Sequence, residues 1–448
     1  MHSSSRGGES LNARPPLQYY VLPGVITVST HLSLVSLWLI LLLGPTATAA
    51  VHVLDPTTGG TLAGAVSAGL LHAGDTAVLR SGYHGAVTLS GDNAELITIT
   101  AAPGQTPQLS RLVISQGSKW LVRGVVISPS FAAEPYKGNI VSLGESGPSS
   151  DLTIADCFIY TTLDSSAWTI EQWMSANSGV QLGRHGTKLT MRNNHLLNLR
   201  FGVALCSPDS LCEGNLIENF SADGIRVTRD DLTVRCNTIR NVYVGSKDGD
   251  DNHDDGIQAF LFNKGTGTVR KARVLNNIII NRENPAQPFP ASLQGIGFFD
   301  GPLVDFQVAG NVVDVQAWHG IALYDAQNCT ITGNSVFNTT TDHTIWIMLG
   351  QKHKQFKDNT VTGNFSNDYK LKSPGLTQDK NEKITAEAFH ATQLAMLKSI
   401  NDEFGPLHPL TGLPRIGKPG NGVVVKGYKP FVKPKVETAA SKPALKPR

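Results

Sequence analysis

The chain has 448 residues, 38 Lys and Arg against 36 Asp and Glu, a net charge of +2 and only 17% charged residues. With so balanced a charge, the fold as a whole advertises no nucleic-acid partner. The five cysteines, Cys157, Cys206, Cys212, Cys236 and Cys329, lack the CxxC spacing of a structural zinc site.

Residues 1–50 read as a leader. Leu32–Leu43 is a twelve-residue apolar run, LSLVSLWLILLL, short of the roughly 20 residues a membrane span needs. It fits the apolar core of a secretory signal peptide, with small residues for cleavage at Ala47-Thr48-Ala49; a signal anchor is the alternative. The expected product is secreted, periplasmic or held at the cell surface, without a stable membrane span after processing. A single domain is expected over 51–413. It begins with an amphipathic helix, Leu62–His72, ended by Gly74, then a strand, Thr76–Leu79, and a turn at Ser81-Gly82. Strands follow at Leu96–Thr100, Leu112–Ile114, Trp120–Ile127, Ile140–Leu143 and Leu152–Tyr160.

From Ser178 to about Asn367 the chain repeats. Asn194, Asn215, Asn237, Asn277, Asn311, Asn334 and Asn359 each sit in the phrase apolar-x-x-Asn-x-apolar. Several have a second Asn four residues on: Asn198, Asn219, Asn241, Asn281 and Asn338. Between them runs x-Gly-Ile/Val, at Gly179, Gly202, Gly224, Gly256, Gly295 and Gly320. The period is 21 to 25 residues, widening to 40 between Asn237 and Asn277 and to 34 between Asn277 and Asn311. Such a period built from very short strands marks a solenoid. The 44 glycines and 7% aromatics suit stacked short strands with tight turns. Apolar residues at 389, 396, 397, 400 and 404 place a helix in Ile384–Phe404, expected to close the C-terminal end of the stack. Residues 414–448 are Lys/Pro-rich and read as a disordered tail.

In each x-Gly-Ile-x-apolar phrase the residue after Ile should point outward. This predicts one outward column: Gln181, Ala204, Arg226, Gln258, Gly297, Ala322 and Trp346. The widened repeats add loops beside it, at 242–254, 262–272 and 283–293, which build groove walls. One of them holds the densest titratable stretch, KDGDDNHDDGIQAFLF (Lys247–Phe262).

The repeat resembles that of the right-handed parallel β-helix, the fold of pectate lyases, alginate lyases and mannuronan epimerases. The order helix, Gly-Asp-Thr, strand, Gly-x-Tyr resembles the N-terminal cap of the secreted lyases. The fold class so implied is all-β, with an N-terminal capping helix and a C-terminal helix. Asp251-Asn252-His253-Asp254 resembles the Asp-Pro-His-Asp/Glu motif of mannuronan C5-epimerases, with Asn252 in place of the proline. The phrase Asn-His-x-Asp-Gly-Ile-Gln at 252–258 is similar to one recurring in secreted β-helix lyases and epimerases. The resemblance implies an active site at His253 and the acids around it, and an acidic, uronate-containing polysaccharide as substrate.

Removing the C5 proton of a uronate requires neutralising the neighbouring carboxylate and a base within reach. Arg226 is the candidate neutraliser, with Gln258 beside it. His253 is the candidate base, with Asp255 or Asp251 fixing its tautomer. Asp254 is a further candidate catalytic carboxylate. Lys247, Tyr243, Lys264 and Arg282 are loop candidates for the acid or for binding substrate carboxylates. Trp346 is a candidate sugar-stacking platform, and His319, at the same phrase position as Asp255, is a candidate groove residue, as is His343. Asp223 reads as a turn residue. Asp250 and Asp251 are candidate ligands for Ca²⁺, or part of a solvated loop.

The expected reaction is β-elimination, with C5 epimerisation sharing its first half. Hydrolysis is the alternative use of the carboxylates. Asp254-Asp255 is similar to the Asp-Asp of polygalacturonases, and Trp318-His319-Gly320 is similar to their Gly-His-Gly, but their Asn-Thr-Asp and Arg-Ile-Lys are missing. A non-catalytic carbohydrate-binding solenoid is the option from another class.

Overall fold

The computed structural model describes residues 48–245, 253–262, 264, 267–352 and 356–405. The Leu32–Leu43 run, Lys247, Asp250, Asp251 and the 414–448 tail lie outside them. No described helix is long and apolar enough to cross a membrane.

The chain winds through parallel strands with the right-handed crossovers that parallel pairing takes. One coil shows the plan. Ile225–Val227 lies on a first face, Thr233–Arg235 on a second and Thr238–Val242 on a third. Each pairs in parallel with the matching strand of the next coil: Ile257 lies beside Ile225, Val274 beside Val234 and Ile279 beside Ile239. Side chains alternate along each strand, so one set of aliphatic residues fills the interior as a continuous core. The fold is a right-handed parallel β-helix.

The repeated phrases have local physical causes. At Gly224 an added Cβ would meet the carbonyl oxygen of Gly256 and Cγ2 of Ile239, both at 2.6 Å. Coils stack too closely there for any side chain. Asn198, Asn219 and Asn241 take left-handed φ of 55°, 57° and 66°, which Asn adopts more readily than most residues. The first Asn of each phrase builds a ladder. Asn237 Oδ1 accepts from the amide (3.0 Å) and Nδ2 (2.9 Å) of Asn215, and Asn277 Oδ1 accepts in the same way from Asn237. The ladder continues through Asn311, Asn334 and Asn364 to Asn381. Asn359 is therefore not its next member. It accepts from the Cys329 amide at 2.9 Å, at a different corner of the coil.

Three further expectations are corrected. The first helix, α1, is Leu62–Ser67 and not Leu62–His72. Gly69 takes a φ of 63° and the Leu70 amide turns back to the Ala65 carbonyl at 3.0 Å, ending it. With Leu62 and Ala65 buried, α1 still covers the N-terminal end of the core. Trp120–Ile127 and Leu152–Tyr160 each break in two, at Gly124 (φ 71°) and Asp156 (φ 52°), because the coil turns a corner there. After the short helix α2 (Ile170–Met174), the last described helix, α3 (Ala386–Phe404), does not close the C-terminal end. It lies along the third face, over an apolar stripe of Cys236, Ile278, Ile280 and Val312. Phe389 stacks 5.5 Å from Phe337, while Phe404 reaches back to Arg192, 4.8 Å from its ring. Its 19 residues span about 28 Å, or roughly six coil spacings. Such a stripe of exposed aliphatic residues would otherwise face water. All five cysteines are buried, and none is joined to another in a disulfide.

Candidate active site

The outward column forms on the first face as predicted through Ala322. Gln181, Ala204, Arg226, Gln258, Gly297 and Ala322 are successive register partners. Its next member is Met348 and not Trp346. The pairing is irregular between His319 and Ile321, and this places Trp346 opposite His319. His343 lies three residues earlier, in the preceding loop, and is exposed, so it does not share the position of Asp255.

Arg226 and His253 are joined through two carboxylates. Arg226 Nε donates to Asp223 Oδ2 at 2.6 Å, and the other Asp223 oxygen accepts from the Asp255 amide at 3.1 Å. Asp255 Oδ2 lies 2.9 Å from His253 Nδ1. Asp223 is thus more than a turn residue: it ties two adjacent coils. The Arg226 guanidinium lies 3.8 Å from the Phe201 ring centroid. Stacked and bonded in this way, it is held in one orientation. The Asp255 carboxyl leans over Gly297, where a Cβ would overlap its Oδ1.

The electrostatics follow from burial. Asp255 is wholly buried, and burial pushes its carboxyl up to about 7. The Asp223 and Asp300 charges push the same way, while His253 pulls down. For His253, burial works against the charged form. The hydrogen bond and charge of Asp255 outweigh it, with Asp223 and Asp300 adding, so its pKa is raised. The His253 side chain keeps 38% exposure. A buried carboxylate behind Nδ1 fixes the tautomer and leaves Nε2 as the other ring nitrogen for chemistry. His319 is a second imidazole on this face. Burial lowers it to about 4, and the His253 charge adds to that. Both imidazoles stand edge-on to Phe299, at 4.7 and 5.1 Å.

The other expected residues divide. Gln258 sits beside Arg226 but is only 4% exposed, so it offers substrate little surface. Asp254 is buried, its carbonyl accepting from the Gln294 amide at 3.0 Å. Tyr243 is a wall residue. Its ring stacks 4.2 Å from Trp173, burial pushes its hydroxyl up to about 12, and it bridges Pro290. Val244 donates to the Phe289 carbonyl at 3.0 Å, so the 283–293 loop pairs with residues 243–245 in one wall. Arg282 opens that loop half-buried, with no hydrogen-bond partner for its Nε among the described residues. Lys264 follows the far end of the strand Asp255–Phe260, in an exposed turn on the Leu261 carbonyl, and no described contact brings it to His253. Lys247, Asp250 and Asp251 lie outside the described residues. Among the described residues no group of three or more His, Cys, Asp or Glu is arranged to hold a metal ion.

Sequence reasoning missed Trp173, Phe201 and Phe299. Phe201 carried a readable signal, because it precedes Gly202 at the phrase position that Asp223 and Asp255 occupy. Trp173 sits in a short helix, α2 (Ile170–Met174), outside the repeat, with a capping box between Thr169 and Gln172.

Residues 178–365 match the family model described as right handed beta helix region. No curated protein matches the chain. Among solved structures it is similar to an alginate lyase from Paenibacillus sp. str. FPU-7, at 17% identity and a TM-score of 0.41, over 74% of this chain and 99% of that one. It is also similar to the A-module of the mannuronan C-5 epimerase AlgE6 from Azotobacter vinelandii, at 13% and 0.40, over 74% and 99%. A third is the catalytic unit of a GH87 alpha-1,3-glucanase from Streptomyces thermodiastaticus strain HF3-3, at 15% and 0.40, over 77% and 69%. At such identities these likenesses say nothing of the reaction.

Proposed function

We propose that the protein is a secreted lyase that cleaves a uronate-containing polysaccharide by β-elimination. The supporting observation is the Arg226–Asp223–Asp255–His253 chain, which sets a fixed guanidinium and an oriented imidazole on adjacent coils of one trench. Arg226 pairs with the substrate carboxylate at C6, so that charge developing there in the transition state is stabilised. His253 Nε2 takes the C5 proton. The electron pair forms the C4–C5 double bond as the C4–O4 bond breaks. The leaving oxygen takes a proton from a loop acid, and Tyr243, which keeps its proton at neutral pH, is the described candidate. Returning a proton to the opposite face of C5 instead would be epimerisation.

One observation favours hydrolysis. A carboxyl raised to about 7 at Asp255 beside an ion-paired Asp223 has the look of an acid and base pair. Against it, Asp255 is wholly buried behind His253. A panel of polyuronates separates the readings. Elimination creates an unsaturated uronate that absorbs in the ultraviolet. Hydrolysis gives new reducing ends without that absorbance, and epimerisation gives neither. Absence of absorbance with every polyuronate tested removes the lyase assignment.

A further inference from the structure

Beyond His253, toward the C-terminal end, the same face continues as a line of rings. His319 stands edge-on to Trp346 at 5.6 Å, and Trp346 stacks on Trp318, centroids 6.2 Å apart and planes inclined by 21°. Trp318 is 60% exposed, an unusual position for so large an apolar side chain. Two ammonium groups flank the line. Lys370 Nζ lies 5.5 Å from the Trp346 ring centroid, and Lys352 Nζ lies 5.9 Å from that of Tyr324. They are bonded to Asp368 and Asp300 at 2.6 and 3.2 Å, but an ammonium has three donors and each keeps others.

We infer that Trp318, Trp346 and Lys370 form a distal subsite that holds an acidic sugar residue of the same polysaccharide chain, well away from the bond at His253. An exposed indole face matches the C–H face of a pyranose, and a neighbouring ammonium matches the carboxylate that distinguishes a uronate from a neutral sugar. The inference rests on the reading of the trench as a polyuronate site. Asp255 pairs with Gln294, the strand of Gln294 with that of His319, and His319 with Trp346. Three coil spacings, about 14 Å, therefore separate the Asp255 position from the Trp346 position. A pyranose in an extended chain advances by a length comparable with one coil spacing, so the platform meets a ring about three residues from the one at His253. In the other direction the column carries Gln181, bonded to Asn139 at 2.7 Å and Glu145 at 2.9 Å. The protein should therefore need a substrate several residues long and gain affinity as the chain extends over Trp318.

Calorimetric binding to the full chain carrying His253→Ala tests this without turnover. The probes are dimers and hexamers of mannuronate, galacturonate and glucuronate, with dextran as a neutral control. At least one hexamer should bind far more tightly than its dimer. Trp318→Ala should weaken that hexamer about tenfold, and Trp318→Phe, which keeps a ring, should fall between. Lys370→Gln should weaken the hexamer and flatten its salt dependence. Equal hexamer affinity with and without the Trp318 side chain would overturn the subsite, and dextran binding as tightly as a polyuronate would overturn its acidic specificity. Trp318-dependent binding without ultraviolet product from the unmutated protein would leave the subsite standing and remove the lyase reading alone.

Discussion

Two corners of the same coil bury polar side chains, and they do it in opposite ways. At the corner before the third face, the Asn ladder satisfies itself. Asn277 accepts two bonds from Asn237, and its Nδ2 donates to Asn311 and to the Val234 carbonyl. At the corner before the first face, Asp223, Asp255 and His253 place charge in a buried position, and Asp255 Oδ1 and Gln294 Oε1 have no hydrogen-bond partner among the described residues. A closed amide network holds coils in register. Crowded carboxylates oppose stability, and groups so perturbed are more often found where chemistry is done.

The sharpest way to separate the corners is Asp255→Asn. Activity should fall by about 10²–10⁴-fold, because His253 loses the charge that fixes its tautomer. Stability should change in the opposite sense. With a folded pKa of about 7 against an ordinary 3.8, the carboxyl's contribution is fully present below about 3.8 and is lost as pH rises through about 7. The variant should thus melt higher than the parent at pH 8 and equally near pH 4, as followed by circular dichroism. Arg226→Ala should lower kcat/KM by about 10²–10³-fold with the fold intact, the loss expected for one donor to a developing anion. The ladder should respond in the reverse manner. Asn277→Ala strands the buried Asn237 amide and should cost about 3 kcal/mol in a denaturant titration, with activity per folded molecule retained.

The ladder was legible in sequence because it obeys a period, and so was most of the outward column. Asn359 misled because the phrase that marks the ladder also occurs at another corner, where it serves the Cys329 amide. Trp346 misled because counting assumes an unbroken register, and the irregular pairing near Gly320 shifts it. The cluster at His253 stood out through its density of acids. The role of Asp223 did not, since only coil stacking brings it to the Asp255 amide across 32 residues of sequence. Trp173, Phe299 and the path of α3 depend on which surfaces meet, and no local pattern carries that.

The smallest expected effect is a shift in pH dependence. The proposed base must be neutral, so activity should rise with pH through the raised pKa of His253. The Asp223 charge helps to raise it, so Asp223→Asn should move that limb of the kcat/KM profile to lower pH, whatever it does to the absolute rate.

The assignment of His253 as base and Arg226 as neutralising cation is the proposal on which the reaction rests. Its most direct test is the rate at which ultraviolet absorbance appears from a polyuronate with the unmutated protein, with His253→Ala, and with His253→Ala plus added imidazole. A measurable rate is expected from the unmutated protein, with its loss in the variant at an unchanged circular dichroism spectrum and partial recovery with imidazole. A folded His253→Ala protein that turns over at the parent's rate would contradict it.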